Sequence, residues 1–522
     1  MSEKSTILIP AAAAPAKVGF ISLGCPKNLV DSEVMMGLLA QVGAELTPSA
    51  QDADVIVVNT CSFIASAQQE SVDTILEMAR HKTAGKAKRL VVAGCLVERF
   101  RDEIRKNIPE VDAVVGTGEL TKILAAAGVV EPATAHPPTT QPAPSESSAG
   151  ASPAVAGAPR PRPGEVPPAN PSPFHILSSR PEGNHRRQHG RFARDAWDGA
   201  VSDLPNYLYD ENTPRVLATP SYSAYIKIAE GCDHPCSFCI IPQLRGQFRS
   251  RRFESVVAEA ERLAKSGVRE VTLIGQDTTC YGEDLGLKDG LATLLGKLAH
   301  IGGLRWIRFL YAYPNKITGR LLDTIAAHDT ICSYIDVPLQ HASARVLKRM
   351  KRGGGADLFL RSIEKMRCTI PGVTLRTSFI VGFPGETEKE FEELQSFVKE
   401  AAFDWMGAFG YSDQEGAAAF DHDKKLPARE IESRRKSLMA TQKKISRRKK
   451  KALIGREFDL LLEGKSAESD LLLEGRTAMH APEIDGKVFV NDYPEGCEPR
   501  EGEFYRCRIT AAHDYDLVAE II

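Results

Sequence analysis

YIKIAEGCDHPCSFC, Tyr225 to Cys239, joins an apolar run to three cysteines at C-x3-C-x2-C spacing. Tyr225–Ala229 reads as a strand, and the cysteines follow its carboxyl end. Working outward, further strands are expected at Glu270–Gly275, Trp306–Leu310, Tyr334–Val337, Thr374–Val381 and Trp405–Tyr411. Helical patterns intervene, for example at Glu254–Ser266, Leu291–Leu298 and Glu388–Ala401. Six strand–helix repeats over ~200 residues suit a partial β/α barrel better than a full eight-unit barrel of ~250. Active sites on such barrels lie at the carboxyl ends of the strands, where this motif falls.

Cys232, Cys236 and Cys239 form one tight loop. A cubane cluster has four irons, and three thiolates hold three of them. The fourth iron stays open for a small bidentate ligand. S-adenosylmethionine fills that role through its amino and carboxylate groups, and an electron from the cluster then cleaves its sulfonium C–S bond. Phe238, next to the last cysteine, stands where this motif carries a ring that packs near the adenine. Zinc is the competing reading. It normally takes four ligands, often in two Cys-x2-Cys pairs, and no partner pair is present; His234 lies between two ligands, a strained place for a fourth.

A second constellation lies upstream. Strands are expected at Val18–Gly24, Asp54–Thr60, Arg89–Gly94 and Val111–Gly116, with helices at Asp31–Val42, Ser66–Ala79 and near Val97–Lys106. Continuous Val/Ile/Leu runs between amphipathic helices indicate an open parallel sheet covered on both faces. Three strands end in cysteine: ISLGC at Cys25, VVNTC at Cys61 and VVAGC at Cys95. Neighbouring strand ends of an open α/β sheet share one crevice. Spacings of 36 and 34 match one βα unit each, so the three thiols are expected to converge on a second three-thiolate cluster. The alternative is three unrelated buried cysteines. Two clusters on two α/β domains imply a division of labour: the barrel cluster generates the 5′-deoxyadenosyl radical, and the second holds the sulfur to be transferred.

The whole chain sets bounds on this. Its 522 residues suggest about three domains, and 43% hydrophobic with 26% charged residues is ordinary for a globular enzyme. A net charge of −2 gives no global pull toward nucleic acid or membrane. No apolar run approaches the ~18–20 residues of a spanning helix. Met1 to Lys17 lacks a basic region followed by a long apolar core, so no signal peptide is read and the cytoplasm is expected. Eleven cysteines without a secretion signal point to metal ligands rather than disulfides. Residues 131–212, rich in Pro, Ala, Ser and Thr and then basic, read as a linker or insertion. Arg429–Leu453 reads as a charged helical connector, and the short alternating runs from about Leu453 to Ile522 as a small β-barrel.

Other polar groups at strand ends are Gln276–Asp277, Gln340–His341 and Arg376, which either line the cofactor pocket or cap helices. The glycines of GFPGET, Gly382–Thr387, either admit a ligand to the backbone or make a turn. Cys280, Cys332, Cys368, Cys497 and Cys507 share no spacing and read as packing or surface residues.

Together these residues resemble the methylthiotransferase family over nearly the whole chain except the linker. The resemblance implies an amino-terminal cluster domain at 17–130, a radical S-adenosylmethionine core with its connector at 213–450, and a TRAM β-barrel at 453–522. LGCPKNLVDSE (Leu23–Glu33), IDVPLQHAS (Ile335–Ser343) and RTSFIVGFPGET (Arg376–Thr387) look like the branch that modifies an aspartate of small-subunit ribosomal protein S-twelve. The tRNA branch more often has Gln-Met-Asn after its first cysteine, and Gln-Ser-Gly where this chain has Gln340, His341 and Ala342. The long linker departs from the family pattern.

The reaction so implied replaces a C–H on the aspartate β-carbon with C–SCH3. Its cofactors are two [4Fe-4S] clusters, on Cys25, Cys61, Cys95 and on Cys232, Cys236, Cys239, and S-adenosylmethionine near Phe238, Gln276, Gln340 and Arg376. Electrons come from a flavodoxin- or ferredoxin-type donor, the sulfur donor is unnamed, and a monomer is expected. One rival reading is a tRNA methylthiotransferase acting on an adenosine beside the anticodon; another is a non-catalytic redox sensor or assembly scaffold. Leu453–Ile522 carries 7 Lys/Arg against 16 Asp/Glu, a net of −9, the wrong sign for gripping phosphates and suited to a basic protein surface. Lys443–Lys451 runs the other way, as the solvated face of a connecting helix or a contact with ribosomal RNA.

Overall fold

The computed structural model describes residues 15–129 and 205–522, which divide into two compact units. The first comprises residues 15–62, 66–129 and Thr213–Ala218; the second comprises residues 63–65, 205–212 and Thr219–Ile522. Of the expected linker, residues 131–204 lie outside the described residues. Residues 205–212 pack on the second unit, where the Tyr209 hydroxyl donates to Glu259 (3.2 Å) under the Arg251 guanidinium.

The first unit is built on β1 (Lys17–Ser22), β2 (Glu45–Thr47), β3 (Val55–Thr60), β4 (Arg89–Gly94) and β5 (Ala113–Val115), all parallel in the order β2-β1-β3-β4-β5. The VIVVNT run of β3 is buried at every position, as a central strand covered on both faces must be. Helices α1 (Pro26–Gln41), α2 (Ala65–Thr83), α3 (Cys95–Asn107) and α4 (Ile123–Ala126) make the connections. The edge strand β2 is three residues long, too short to leave a periodic signature.

Helix α1 begins at Pro26, five residues before the expected Asp31. Proline at the first helical position needs no N–H partner and has the right φ. The residues that look like a polar turn are buried instead. Asn28 donates to the Leu23 and Thr60 carbonyls (2.7 and 3.2 Å), and Asn59 donates to the Asn28 carbonyl and Ser32 Oγ (both 2.8 Å). Farther along, Glu33 receives Arg215 Nε (2.8 Å) and the Ala218 N–H (2.8 Å), which ties Thr213–Ala218 to the helix. Gly37 lets that segment pass, since a Cβ there would sit 2.3 Å from the Pro214 carbonyl.

The second unit opens with β6 (Ser223–Lys227) and a short ribbon of β7 (Ala229–Glu230) and β8 (Arg249–Ser250). It continues with β9 (Glu270–Ile274), β10 (Trp306–Phe309), β11 (Tyr334–Asp336), β12 (Thr374–Val381) and β13 (Trp405–Gly410). β6-β9-β10 and β11-β12-β13 form two three-stranded parallel sheets, bridged between Ile307 and Ile331. These six strands follow sequence order, as in the expected partial barrel. Between them run α5 (Ile241–Arg245), α6 (Phe253–Lys265), α7 (Gly290–Leu298), α8 (Gly319–Ala327), α9 (Ala344–Arg349), α10 (Ala356–Thr369) and α11 (Glu388–Ala401).

The connector is α12 (Ala428–Lys451), which leads into β14 (Glu457–Ser466), β15 (Ser469–Thr477), β16 (Val488–Asp492), β17 (Phe504–Ala512) and β18 (Leu517–Ile521). These close into a five-stranded barrel. It is locked to the larger barrel by buried polar contacts: Arg476 on Glu270 (2.7 Å), Tyr334 on Asp485 (2.6 Å) and the Trp405 indole on the Met479 carbonyl (2.7 Å). No helix among the described residues is long and apolar enough to cross a membrane.

Candidate active site

In the first unit, β1, β3 and β4 are neighbours, and each delivers one cysteine at its carboxyl end. Cys25 is the N-cap of α1, Cys61 follows β3 directly, and Cys95 opens α3. Thr60 pairs with Gly94 in the register, so Cys61 and Cys95 follow directly on paired positions. The glycine preceding each flanking cysteine makes this possible. Gly24 has φ +87°, and a Cβ there would lie 2.7 Å from Cys61 Cβ; Gly94 has φ +92°, and a Cβ there would meet Asn59 Oδ1 at 2.3 Å. Only glycine takes this conformation with the middle strand so near. Cys25 and Cys95 also stand at the N-terminal ends of α1 and α3. Beside them Asn59 Oδ1 is buried without a hydrogen-bond partner.

In the second unit, Cys232, Cys236 and Cys239 leave the end of the β7 strand. Gly231 (φ +79°) turns the chain where a Cβ would strike the Gln247 carbonyl at 2.0 Å. The loop is pinned by Cys232 N–H on the Gly246 carbonyl (3.2 Å), Ser237 N–H on the Met350 carbonyl (3.0 Å) and Ser237 Oγ on the Arg349 carbonyl (2.9 Å). Burial pushes the Cys232 and Cys239 thiols up to about 12, and the neighbouring cysteines add to the shift. At neutral pH these sulfurs need a bound cation to become thiolates.

The structure places the remaining candidates unevenly. Phe238 is half-buried in the loop beside Cys239. Gln276 follows β9 and donates to the buried Glu230, which leaves its Oε1 buried and unpartnered. Gln340 holds φ +72°, a conformation rare outside glycine, fixed by its N–H on the Ser378 carbonyl (2.9 Å) and its carbonyl on Ile380 N–H (2.8 Å). Arg376 is engaged by Asp336 (2.8 Å) and Asp485 (3.5 Å), away from open solvent. His341 is buried 3.4 Å from Glu386. GFPGET closes on itself as a turn, with Glu386 accepting from Gly382 N–H (2.8 Å).

Around the barrel cysteines, sequence reasoning offered Asp277 as a strand-end group and His234 only as a strained zinc ligand, and it missed Arg352, Tyr313 and Cys280. Arg352 Nη1 reaches Cys236 Sγ at 3.6 Å and lies over the Tyr313 ring, on which His234 stacks at 3.9 Å. His234 Nε2 is 2.6 Å from Asp277 Oδ2, and the Cys280 thiol donates to the same oxygen (3.1 Å). Burial raises the Asp277 carboxyl, but these hydrogen bonds outweigh it and leave it lowered. Cys280 therefore joins the site, whereas its lack of spacing had marked it as a packing residue. The strand-end position of Asp277 was the sequence signal for this group.

The donor sets suit iron–sulfur clusters better than one ion. Among the described residues, the group whose ligand atoms lie within 4.8 Å of one another is His234, Asp277 and Cys280; neither cysteine triad closes to single-ion spacing. Each triad offers three thiols at strand ends, with a buried unpartnered oxygen nearby, Asn59 Oδ1 in one unit and Gln276 Oε1 in the other.

Three family models match in order: Uncharacterized protein family UPF0004 over residues 17–116, the Radical SAM superfamily over 226–398 and the TRAM domain over 454–522. The chain is 67% identical to the ribosomal protein uS12 methylthiotransferase RimO of Koribacter versatilis (strain Ellin345), covering 100% of this chain and 99% of that protein. The chain belongs to the RimO family. The RimO of Solibacter usitatus (strain Ellin6076) is 54% identical over 97% of this chain and 95% of its own. Among solved structures, the radical S-adenosylmethionine methyltransferase TsrM of Kitasatospora setae overlays 76% of this chain and 75% of its own at TM-score 0.46 and 16% identity. As a RimO family member the chain is a radical enzyme that takes S-adenosylmethionine and [4Fe-4S] clusters. Its first matched segment contains Cys25, Cys61 and Cys95, and its second contains the barrel cysteines, Gln276, Gln340 and Arg376.

Proposed function

We propose that this chain methylthiolates the β-carbon of an aspartate in ribosomal protein uS12, with Cys232, Cys236 and Cys239 holding one cluster and Cys25, Cys61 and Cys95 the other. The observation that carries the reading is the pair of three-thiol sets at strand ends, in a chain 67% identical over its full length to a uS12 methylthiotransferase. When bound, the clusters and S-adenosylmethionine supply the one-electron chemistry that opens an unactivated C–H bond, the methyl group and the sulfur site.

The protein's own part is positional and electrostatic. The three barrel thiols are half-buried, and Arg352 sets a cation 3.6 Å from Cys236. The His234–Asp277 pair and the Gln276 oxygen offer polar partners for the charged end of an amino acid. Phe238 and Tyr313 supply rings beside the loop. The domain division at 17–130, 213–450 and 453–522 belongs to the same reading, as do a cytoplasmic monomer and a flavodoxin- or ferredoxin-type electron donor.

The β16–β17 connection, exposed at Glu495, Glu498, Glu501 and Glu503, favours a basic protein substrate over tRNA. Mass spectrometry of uS12 from cells with and without the gene tests this. One aspartate should gain the mass of a sulfur and a CH2, lost on deletion and on Cys25→Ala or Cys232→Ala. An unchanged uS12, with a methylthio group lost from tRNA instead, would refute the substrate.

A further inference from the structure

Helix α12 has two unlike faces. Gln442, Ile445, Ser446 and Lys450 are buried against the barrel, with Gln442 Nε2 on the Phe403 carbonyl (3.0 Å) and the Lys450 ammonium 3.5 Å over the Trp405 ring. Lys449 adds contacts to Asp404 (2.6 Å) and the Ala402 carbonyl (3.0 Å). The helix is thus held rigidly. Its other face presents Lys443, Lys444, Arg447, Arg448 and Lys451, all exposed.

Among the described residues one carboxylate, Asp514, answers this row, pairing with Lys443 (2.8 Å) and Arg447 (2.6 Å). The face therefore keeps a surplus of about four positive charges on a chain whose net charge is −2. Cations in the last helical turn favour the helix dipole, but that effect dies out within one turn and leaves Lys443, Lys444 and Arg447 unexplained. Ala440 continues the same face, and no aromatic or leucine stands among Ala440, Lys443, Lys444, Arg447, Arg448 and Lys451 to enter a lipid surface.

We infer that this face of α12 is a docking surface for an RNA phosphate backbone, so that the protein substrate is met while it is held on RNA. The inference rests on the uS12 reading above and specifies the form of that substrate. The rise from Lys443 to Lys451 is ~12 Å, which covers three or four phosphates at ~3.4 Å each along one strand. The acidic small barrel and this basic helix then address different parts of one ribonucleoprotein, the protein and its RNA.

The test uses the cluster-loaded full chain and a ~24-base-pair labelled RNA duplex, followed by fluorescence anisotropy across ~50–200 mM salt. With three or four phosphates neutralised, log K should fall with log salt at a slope of about −2.7 to −3.6, a loss of roughly 40- to 150-fold over that range. Lys444→Glu/Arg448→Glu/Lys451→Glu should weaken binding at low salt by more than about 30-fold and flatten the slope by about 2, with the Gln triple variant intermediate. Wild-type binding that is absent, unchanged in the Glu variant, or matched by polyglutamate would overturn the inference.

A second readout compares modification of free uS12 and of intact small subunits. The Glu variant should slow only the latter, and an equal loss on both overturns the inference. If wild type binds RNA as expected yet modifies neither, the uS12 reading fails while the phosphate site stands.

Discussion

Glu270 of β9 is buried beneath the small barrel and faces two guanidiniums. Arg476 of β15 meets it at 2.7 and 3.3 Å, Arg308 of β10 at 3.3 and 3.4 Å, and Ser223 donates to it at 3.2 Å. Burial alone would raise its carboxyl, but Arg476 and Arg308 outweigh burial and hold it below the usual range. Breaking a buried pair by removing one partner costs about 3–5 kcal/mol. Arg476→Met leaves Glu270 with Arg308 and Ser223, so about 3 kcal/mol is expected; Glu270→Leu strands the buried Arg308 and leaves Arg476 with Glu463 alone (2.7 Å), and should reach the upper end.

The double variant replaces both charges with apolar volume, and its cost should fall short of the sum by at least about 2 kcal/mol. Urea unfolding measures all four proteins, with hydrogen exchange across β14–β18 reporting whether the small barrel loosens first. The sign with pH follows from the lowered carboxyl. The stabilisation is complete above the unfolded value of about 4.3 and is lost as pH falls through the lower folded value, and Glu270→Leu should abolish that dependence. Single effects that add to within about 0.5 kcal/mol would refute the lock.

Other expectations concern single positions. Gly24→Ala should halve the bound iron, because its Cβ would press on Cys61; Gly43→Ala, with φ +89° and nothing within 4 Å, should keep full iron, and equal iron in the two proteins would sink the crowding argument. Arg352→Gln removes the cation 3.6 Å from Cys236 and should lower the reduction potential of the barrel cluster in redox titration; an unchanged potential would mean the contact is only structural. Burial lowers the Lys450 ammonium to about 8. Its folded value lies below the unfolded value of about 10.4, so stability should rise between those pH values; Lys450→Met should flatten that rise and unfold no earlier than wild type at pH 7.

The six cysteines, the parallel sheet, the open barrel and the small closed barrel were legible because each rests on local pattern: apolar runs, their period and the spacing of βα units. The groups around the barrel cysteines were not. Arg352 meets Cys236 across 116 positions, and His234 meets Asp277 across 43. No local period links such pairs, and only closure of the barrel brings them together. The start of α1 was missed for a related reason. A polar stretch reads as a turn, yet Asn28 is buried because its side chain donates to the Leu23 and Thr60 carbonyls.

By itself, then, the sequence determined the scaffold and the position of six cysteines at or just after strand ends, since backbone propensity and residue spacing act over a few residues. The tertiary structure alone decided which charges are neutralised, which polar atoms stay open beside the thiols and which face of α12 remains basic. Those properties depend on what lies within a few ångströms in space, and pairing and desolvation exist only once the chain has folded.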